Sequence, residues 1–244
     1  MHWEIIFILL ISFIATLVRS TFGFGEALVA VPLLVLFLPI EIAVPLSVLL
    51  SITIALIVVL QDHQEIHFNS AKWLILFAIP GIPIGLLILL YVNAFFVKIG
   101  LGVLIILYAL YALLSKRIFR LEKDGMLWLF ICGFLSGVLG GAYGVNGPPL
   151  AVYGNMRRWN AAQFRATLQA YFLPVSLLGA VGYLAKGLVT HTLLVDFLIA
   201  LPAAVPALFL GRYLNHKLKN ESFFKYVYVG LLLIGGLLIF SVRK

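Results

Sequence analysis

Thr21-Phe22-Gly23-Phe24-Gly25-Glu26 and Gly140-Gly141-Ala142-Tyr143-Gly144-Val145-Asn146-Gly147-Pro148-Pro149 are Gly-rich breaks in sequence that is otherwise apolar enough to lie in a bilayer. Each carries a polar residue, Glu26 or Asn146, where hydrocarbon penalises one. Irregular backbone at membrane depth persists only where protein buries it or where it lines a cavity. Two such breaks at corresponding places in the two halves of a chain point to a cargo-binding site between them.

The surrounding sequence fits that reading. Of the 244 residues, 64% are hydrophobic and 11% charged, with mean hydropathy +1.15. Soluble domains are about half apolar and about a quarter charged, so that class is excluded. Apolar runs cover Ile5–Phe22, Gly25–Leu38, Ile42–Leu60, Trp73–Tyr91, Phe95–Leu114, Met126–Ala142, Gly147–Tyr153, Phe164–Leu184, Thr192–Leu210 and Phe223–Val242. Counting each broken pair as one gives eight hydrophobic segments and an all-α polytopic membrane protein in a bacterial-type plasma membrane. A barrel would show short alternating segments instead. Met1-His2-Trp3-Glu4 lacks the basic start of a signal peptide, so the first helix is expected to be retained. Cys132 alone makes neither a disulfide nor a metal cluster, and packing is its expected role. The net charge of +8 sits in short connectors, where it orients the chain and meets lipid headgroups rather than nucleic acid.

The chain repeats once. Gly23-Phe24-Gly25-Glu26 aligns with Gly144-Val145-Asn146-Gly147, Pro80 to Gly85 with Pro206 to Gly211, and Phe95-Phe96 plus Gly102 with Phe223-Phe224 plus Gly230. This divides the chain into a first repeat over 1–114, a basic cytoplasmic hinge over 115–125 and a second repeat over 126–244. If both broken segments cross the membrane fully, Lys and Arg divide evenly between the two sides, against the positive-inside rule. If each is a re-entrant hairpin, Lys72, Lys116, Arg117, Arg120, Lys123, Arg157, Arg158, Arg165, Arg212, Lys217, Lys219 and Lys225 share one face. Only Lys98, Lys186, Arg243 and Lys244 lie on the other. The charge bias favours hairpins, three crossings per repeat, inverted repeats and both termini outside.

Candidate site residues gather at the breaks. Gly25 frees the backbone and places Glu26 in the first turn of a half-helix, as a proton carrier, a substrate ligand or a capping carboxylate. Asn146 before Gly147-Pro148-Pro149 suits an N-cap, and free amides at two facing half-helix starts make an anion site without a basic side chain. Tyr143 donates a hydrogen bond there or packs the hairpin. Arg19, with Ser20 and Thr21, either pairs with Glu26 or binds substrate. Arg165 and Gln169 share a helix face with each other, and Ser47 shares one with Ser51 in the other half. Thr167 and Tyr171 open the same span as Arg165. His63 and His67 are spaced as a metal pair but lack a third ligand, so no metal and no cofactor are expected. Pro80, Pro83, Pro202 and Pro206 are expected to kink their helices.

The segments from Arg19 to Pro32 and from Ser136 to Pro149 resemble the paired Gly-rich motifs of the TauE/SafE sulfite-exporter family, and the resemblance covers essentially the whole chain. It implies a secondary transporter of sulfite, of sulfonates and other organosulfur anions, or of small carboxylates. Many members carry Gly-x-Gly-Gly-Gly at the break. Glu26 and Asn146 stand here in place of glycines, which implies that this chain sets its own polar ligands at the tips. The expected activity is alternating-access transport of a small anion with proton coupling through Glu26, and the chain is not expected to be an enzyme. The expected partners are the anion, protons, membrane lipids and a second copy in a homodimer. The rival classes, an intramembrane enzyme acting on lipid and a non-transporting assembly factor, would need a nucleophile–base pair at depth or would not need two matched polar breaks.

Overall fold

At membrane depth every backbone N–H and C=O needs an internal partner, so apolar runs of about 20 residues coil into helices. The computed structural model describes residues 2–114, 121–217 and 221–241. The charges of Lys116, Arg117, Arg120, Lys219, Arg243 and Lys244 lie outside the described residues, as do the side chains of Lys217, Phe223, Phe224 and Lys225. Within them the chain is 86% helix without strands.

The first half runs α1 (His2–Phe22), α2 (Glu26–Leu34), α3 (Ile40–Asp62), α4 (Phe68–Ala78), α5 (Gly81–Tyr91) and α6 (Ala94–Leu114). The second runs α7 (Met126–Tyr143), α8 (Gly147–Met156), α9 (Ala161–Ala185), α10 (His191–Lys217) and α11 (Glu221–Ser241). Among the described residues six helices, α1, α3, α6, α7, α9 and α10, are long and apolar enough to cross a membrane. α4 and α5 together qualify as one span bent by 45°. Pro80 lies at that bend, where a missing N–H breaks the ladder. α10 holds Pro202 and Pro206 yet runs uninterrupted, so the kinks expected there do not divide the helix.

The polarity is that of a membrane protein, oily outside and polar inside. Leu107, Val181 and Leu198 are each more than 60% exposed, whereas Arg19, Glu26 and Gln169 are at most 3% exposed. Lipid takes the first set, and the interior satisfies the second.

The short helices α2 and α8 fold back beside the helices that precede them. The Phe7 ring stacks on Phe37 with centroids 4.5 Å apart, closing the mouth of the α1–α2 hairpin. At the α7–α8 hairpin, Leu121 N–H donates to the Met156 carbonyl at 2.9 Å and the Tyr153 hydroxyl donates to Asp124 at 2.7 Å. The first mouth lies beside the start of α3. The second is tied to Asn69 and Ser70 of α4, just past the end of α3. At 1.5 Å per residue, the 23 residues of α3 separate the two mouths by about 34 Å. The hairpins therefore enter the protein from opposite ends. Around them α1 packs on α10, α7 on α4 and α5, α3 on α9, and α6 on α11.

Candidate substrate site between two helix tips

Both breaks turn through backbone that side chains avoid. Gly23 and Gly25 have φ of 84° and 99°, and Gly144 has φ of 68°. A methyl at Gly23 would also come within 3.0 Å of the Arg165 backbone. These turns point the starts of α2 and α8 at a narrow shared cavity of about 20 Å³, room for roughly one water molecule. Arg19, Phe24, Gly25, Glu26 and Ser51 line it from one half, with Asn146, Gly147 and Phe172 from the other.

The two helix starts offer different donors. At α2 neither a side chain nor a backbone carbonyl among the described residues accepts from the N–H groups of Glu26, Ala27 and Leu28. At α8 the second and third residues are Pro148 and Pro149, which have no N–H, so only Gly147 presents a free amide. Asn146 occupies the N-cap position as expected, but its side chain makes no capping bond. It packs against Gly140 instead and lines the cavity. Its carbonyl accepts from the Ser136 hydroxyl at 2.7 Å, which in turn accepts from Tyr171 at 2.9 Å.

Arg19 and Glu26 form a buried ion pair at 3.2 Å across the first tip. The guanidinium also donates to the Ser51 hydroxyl at 2.7 Å and the Ser51 carbonyl at 3.3 Å. It holds Gln169 Oε1 from two nitrogens, at 2.7 and 3.2 Å. All five of its N–H positions are thus directed at acceptors, and Phe172 lies under the plane at 4.8 Å. Glu26 accepts from Ser47 at 2.7 Å through its other oxygen. Gln169 closes the network by donating to the Gly23 carbonyl at 2.8 Å. The result is a site with one cation, one anion and a ring of neutral donors, joining α1, α2, α3 and α9.

The remaining expected residues lie around this centre. Ser20 packs against Gly211 of α10, and Thr21 donates to the Leu17 carbonyl. Tyr143 points at Gly100 of α6 and is not among the residues that line the cavity. Arg165 is buried but turns to Asp62 at 3.6 Å, and Asp62 also binds Arg212 at 2.9 Å. This triad clamps the ends of α3, α9 and α10. Thr167 accepts from the His67 N–H, and the His67 ring stacks on Trp159. Among the described residues no group of three metal-ligating side chains occurs.

Phe172 and Ser176 were not singled out in the sequence, yet both reach the network, Ser176 through Ser51 at 3.2 Å. Their signal is positional: they follow Gln169 by three and seven residues and so share its face. Asp124 also escaped notice. Burial pushes its carboxyl up, but hydrogen bonds from Tyr153, Ser70 and Asn69 and the Arg157 guanidinium outweigh burial, and the net shift is downward.

Comparison with known proteins agrees with the geometry. A family model described as "Sulfite exporter TauE/SafE" matches residues 8–239. A protein of Cupriavidus necator described as a "Probable sulfite/organosulfonate exporter TauE" is 26% identical over 152 residues, which is 61% of this chain. The match spans 59% of that relative's length. No solved structure matches the chain.

Proposed function

The chain belongs to the TauE/SafE sulfite-exporter family, a family of transporters rather than enzymes, and from that premise we propose that it is a secondary transporter of a small anion. The cargo class is sulfite, a sulfonate or other organosulfur anion, or a small carboxylate. The observation that carries the proposal is the cavity between the two tips, where the free amides of α2, the Gly147 N–H and the Asn146 side chain surround one balanced ion pair. Helix starts attract anions through unpaired N–H groups and the helix dipole.

Glu26 is the coupling residue in this reading. Ionised, it neutralises Arg19 and repels an incoming anion. Protonated, it leaves Arg19 with a net positive charge that the anion balances. Anion and proton therefore bind together and leave together. Ser47 of α3 and Arg19 of α1 bond the carboxyl, Ser51 of α3 and Gln169 of α9 hold Arg19, and Asn146 lines the same cavity from the other half.

Alternating access would come from two inverted repeats, 1–114 and 126–244, joined by the basic connector 115–125. The packing supports this. Under the alignment of the breaks, α1–α2 corresponds to α7–α8 and α10 to α4–α5, so the α1–α10 contact is the counterpart of α7 on α4–α5. The detail agrees as well. A methyl at Gly211 would meet Leu17, Ser20 and Thr21. One at the aligned Gly85 would meet Val138, Gly141 and Ala142, the aligned residues of α7.

Proteoliposome flux tests the proposal. Sulfite, methanesulfonate or acetate should move, and an imposed pH gradient should drive the movement. Glu26→Gln should retain binding and lose the response to the gradient. No flux of any of these anions would sink the transport reading, and unchanged pH dependence in Glu26→Gln would remove Glu26 from the coupling step.

A further inference from the structure

A second space lies beyond the tip cavity, on the side where α8 and α10 end. It has a volume of about 200 Å³, against about 20 Å³ between the tips. Its walls are aromatic: Phe22 of α1, Phe24 of the first break, Tyr108 of α6, Trp159 before α9 and Phe164 of α9. Asn155 and Asn215 add polar atoms, but the Asn215 amide already donates to the Thr21 carbonyl at 2.6 Å. Among the described residues no charged side chain lines it. Phe24 lines both spaces, held edge-on by Tyr108 and Phe164 with centroids 5.9 Å apart in each case.

We propose that this vestibule binds the apolar or aromatic organic group of an anion whose charged head occupies the tip cavity. The proposal rests on the transport reading for the head and extends it to the rest of the cargo. Ring faces carry negative potential, so a box of aromatic side chains without a cation repels a bare oxyanion and favours an uncharged ring or chain. At about 200 Å³ it has room for a small organic group. Phe24 is the wall that the two spaces share, so a turn of its side chain would join the vestibule and the tip cavity into one site. An anion with a head and a tail spans the two spaces, and a bare oxyanion uses only the inner one. Arg157, Arg158, Arg165 and Arg212 lie at the same end of the protein and outnumber Asp124 and Asp62, the carboxylates they pair with, and the surplus positive charge draws anions toward this mouth. The geometry therefore assigns selectivity for tailed anions to Trp159, Tyr108 and Phe164, separately from the Arg19–Glu26 centre.

The test uses 4-nitrobenzenesulfonate, whose nitroarene quenches the fluorescence of a tryptophan it stacks on, with the purified full-length chain. Saturable quenching is expected, lost in Trp159→Phe although Trp3, Trp73 and Trp128 remain, and relieved by excess methanesulfonate, which competes for the head position alone. Independently of any variant, benzenesulfonate should inhibit sulfite flux about tenfold more strongly than methanesulfonate, and Tyr108→Leu should narrow that ratio. Quenching that persists in Trp159→Phe, quenching indifferent to methanesulfonate, or equal inhibition by the two sulfonates would overturn the proposal. Intact flux without quenching removes the vestibule site alone. Saturable quenching without flux of any anion removes the transport reading and leaves a binding site.

Discussion

At the scale of single residues, the centre of the protein is an arginine whose donors are all engaged. Arg19 joins Glu26, Ser51 and Gln169, so its planar fork fixes three helices and the first tip at once. A lysine keeps the charge but has three donors on one nitrogen and cannot reproduce the fork. Arg19→Lys should therefore lower the melting temperature and abolish flux. Arg19→Ala should do more damage, because it leaves Glu26 buried without its cation, a loss of about 3–5 kcal/mol for broken buried pairs. Thermal unfolding of the two variants in detergent checks the order. Much of this centre was legible in the sequence, since Arg19, Glu26 and Gln169 interrupt apolar runs where a polar residue needs a reason. Phe172 and Ser176 were not, because an aromatic or a serine in a membrane helix is ordinarily just packing or bonded to its own backbone. Nor does sequence say which way a long side chain turns. Arg165 shares a helix face with Gln169, yet its guanidinium reaches out to Asp62 at the helix ends.

At the scale of elements, the breaks and the long helices were read from composition, and most boundaries fall within a few residues of the apolar runs, although α4 starts five residues before Trp73 and α10 continues seven residues past Leu210. The division of Trp73–Tyr91 into α4 and α5 follows from Pro80, whereas Pro202 and Pro206 leave α10 continuous. Proline's effect depends on whether neighbouring helices support the freed carbonyls, which a single segment does not reveal. The difference between the two tips is legible in the sequence once the helix start is known: Pro148 and Pro149 delete two donors, and Asn146 is the polar group beside them. The α7–α8 hairpin is held at its mouth by Asp124, which accepts from Tyr153, Ser70 and Asn69 and pairs with Arg157 at 3.0 Å. These partners hold its carboxyl below the ordinary value, 3.8, although burial opposes them. A carboxyl lowered in the folded state adds stability above its unfolded pKa and loses it as the pH falls through the folded one. The melting temperature should therefore drop on acidification below the ordinary carboxylate range, and Asp124→Asn should be less stable at neutral pH with a flatter acid limb. An identical acid limb in the variant would show that Asp124 does not hold the mouth.

At the scale of the whole molecule, two hairpins enter from opposite ends and meet at one cavity, with the same close approaches of α1 to α10 and of α7 to α5. In the sequence the charge distribution points to re-entrant breaks, which would place twelve basic residues on one face. What sequence did not reveal is the aromatic vestibule, whose walls come from α1, α6, α9 and the connector before α9, segments far apart in the chain. The central claim is that cargo is held between the tips, which then separate. It is tested most directly by tying them together. A Cβ at Gly147 would lie 3.3 Å from the Cβ of Phe24, close to the span of a disulfide. In a Cys132→Ser background, Phe24→Cys with Gly147→Cys should form that bond on oxidation. Anion flux in proteoliposomes should then stop and return on reduction. A bond that forms while flux continues unchanged would contradict the account.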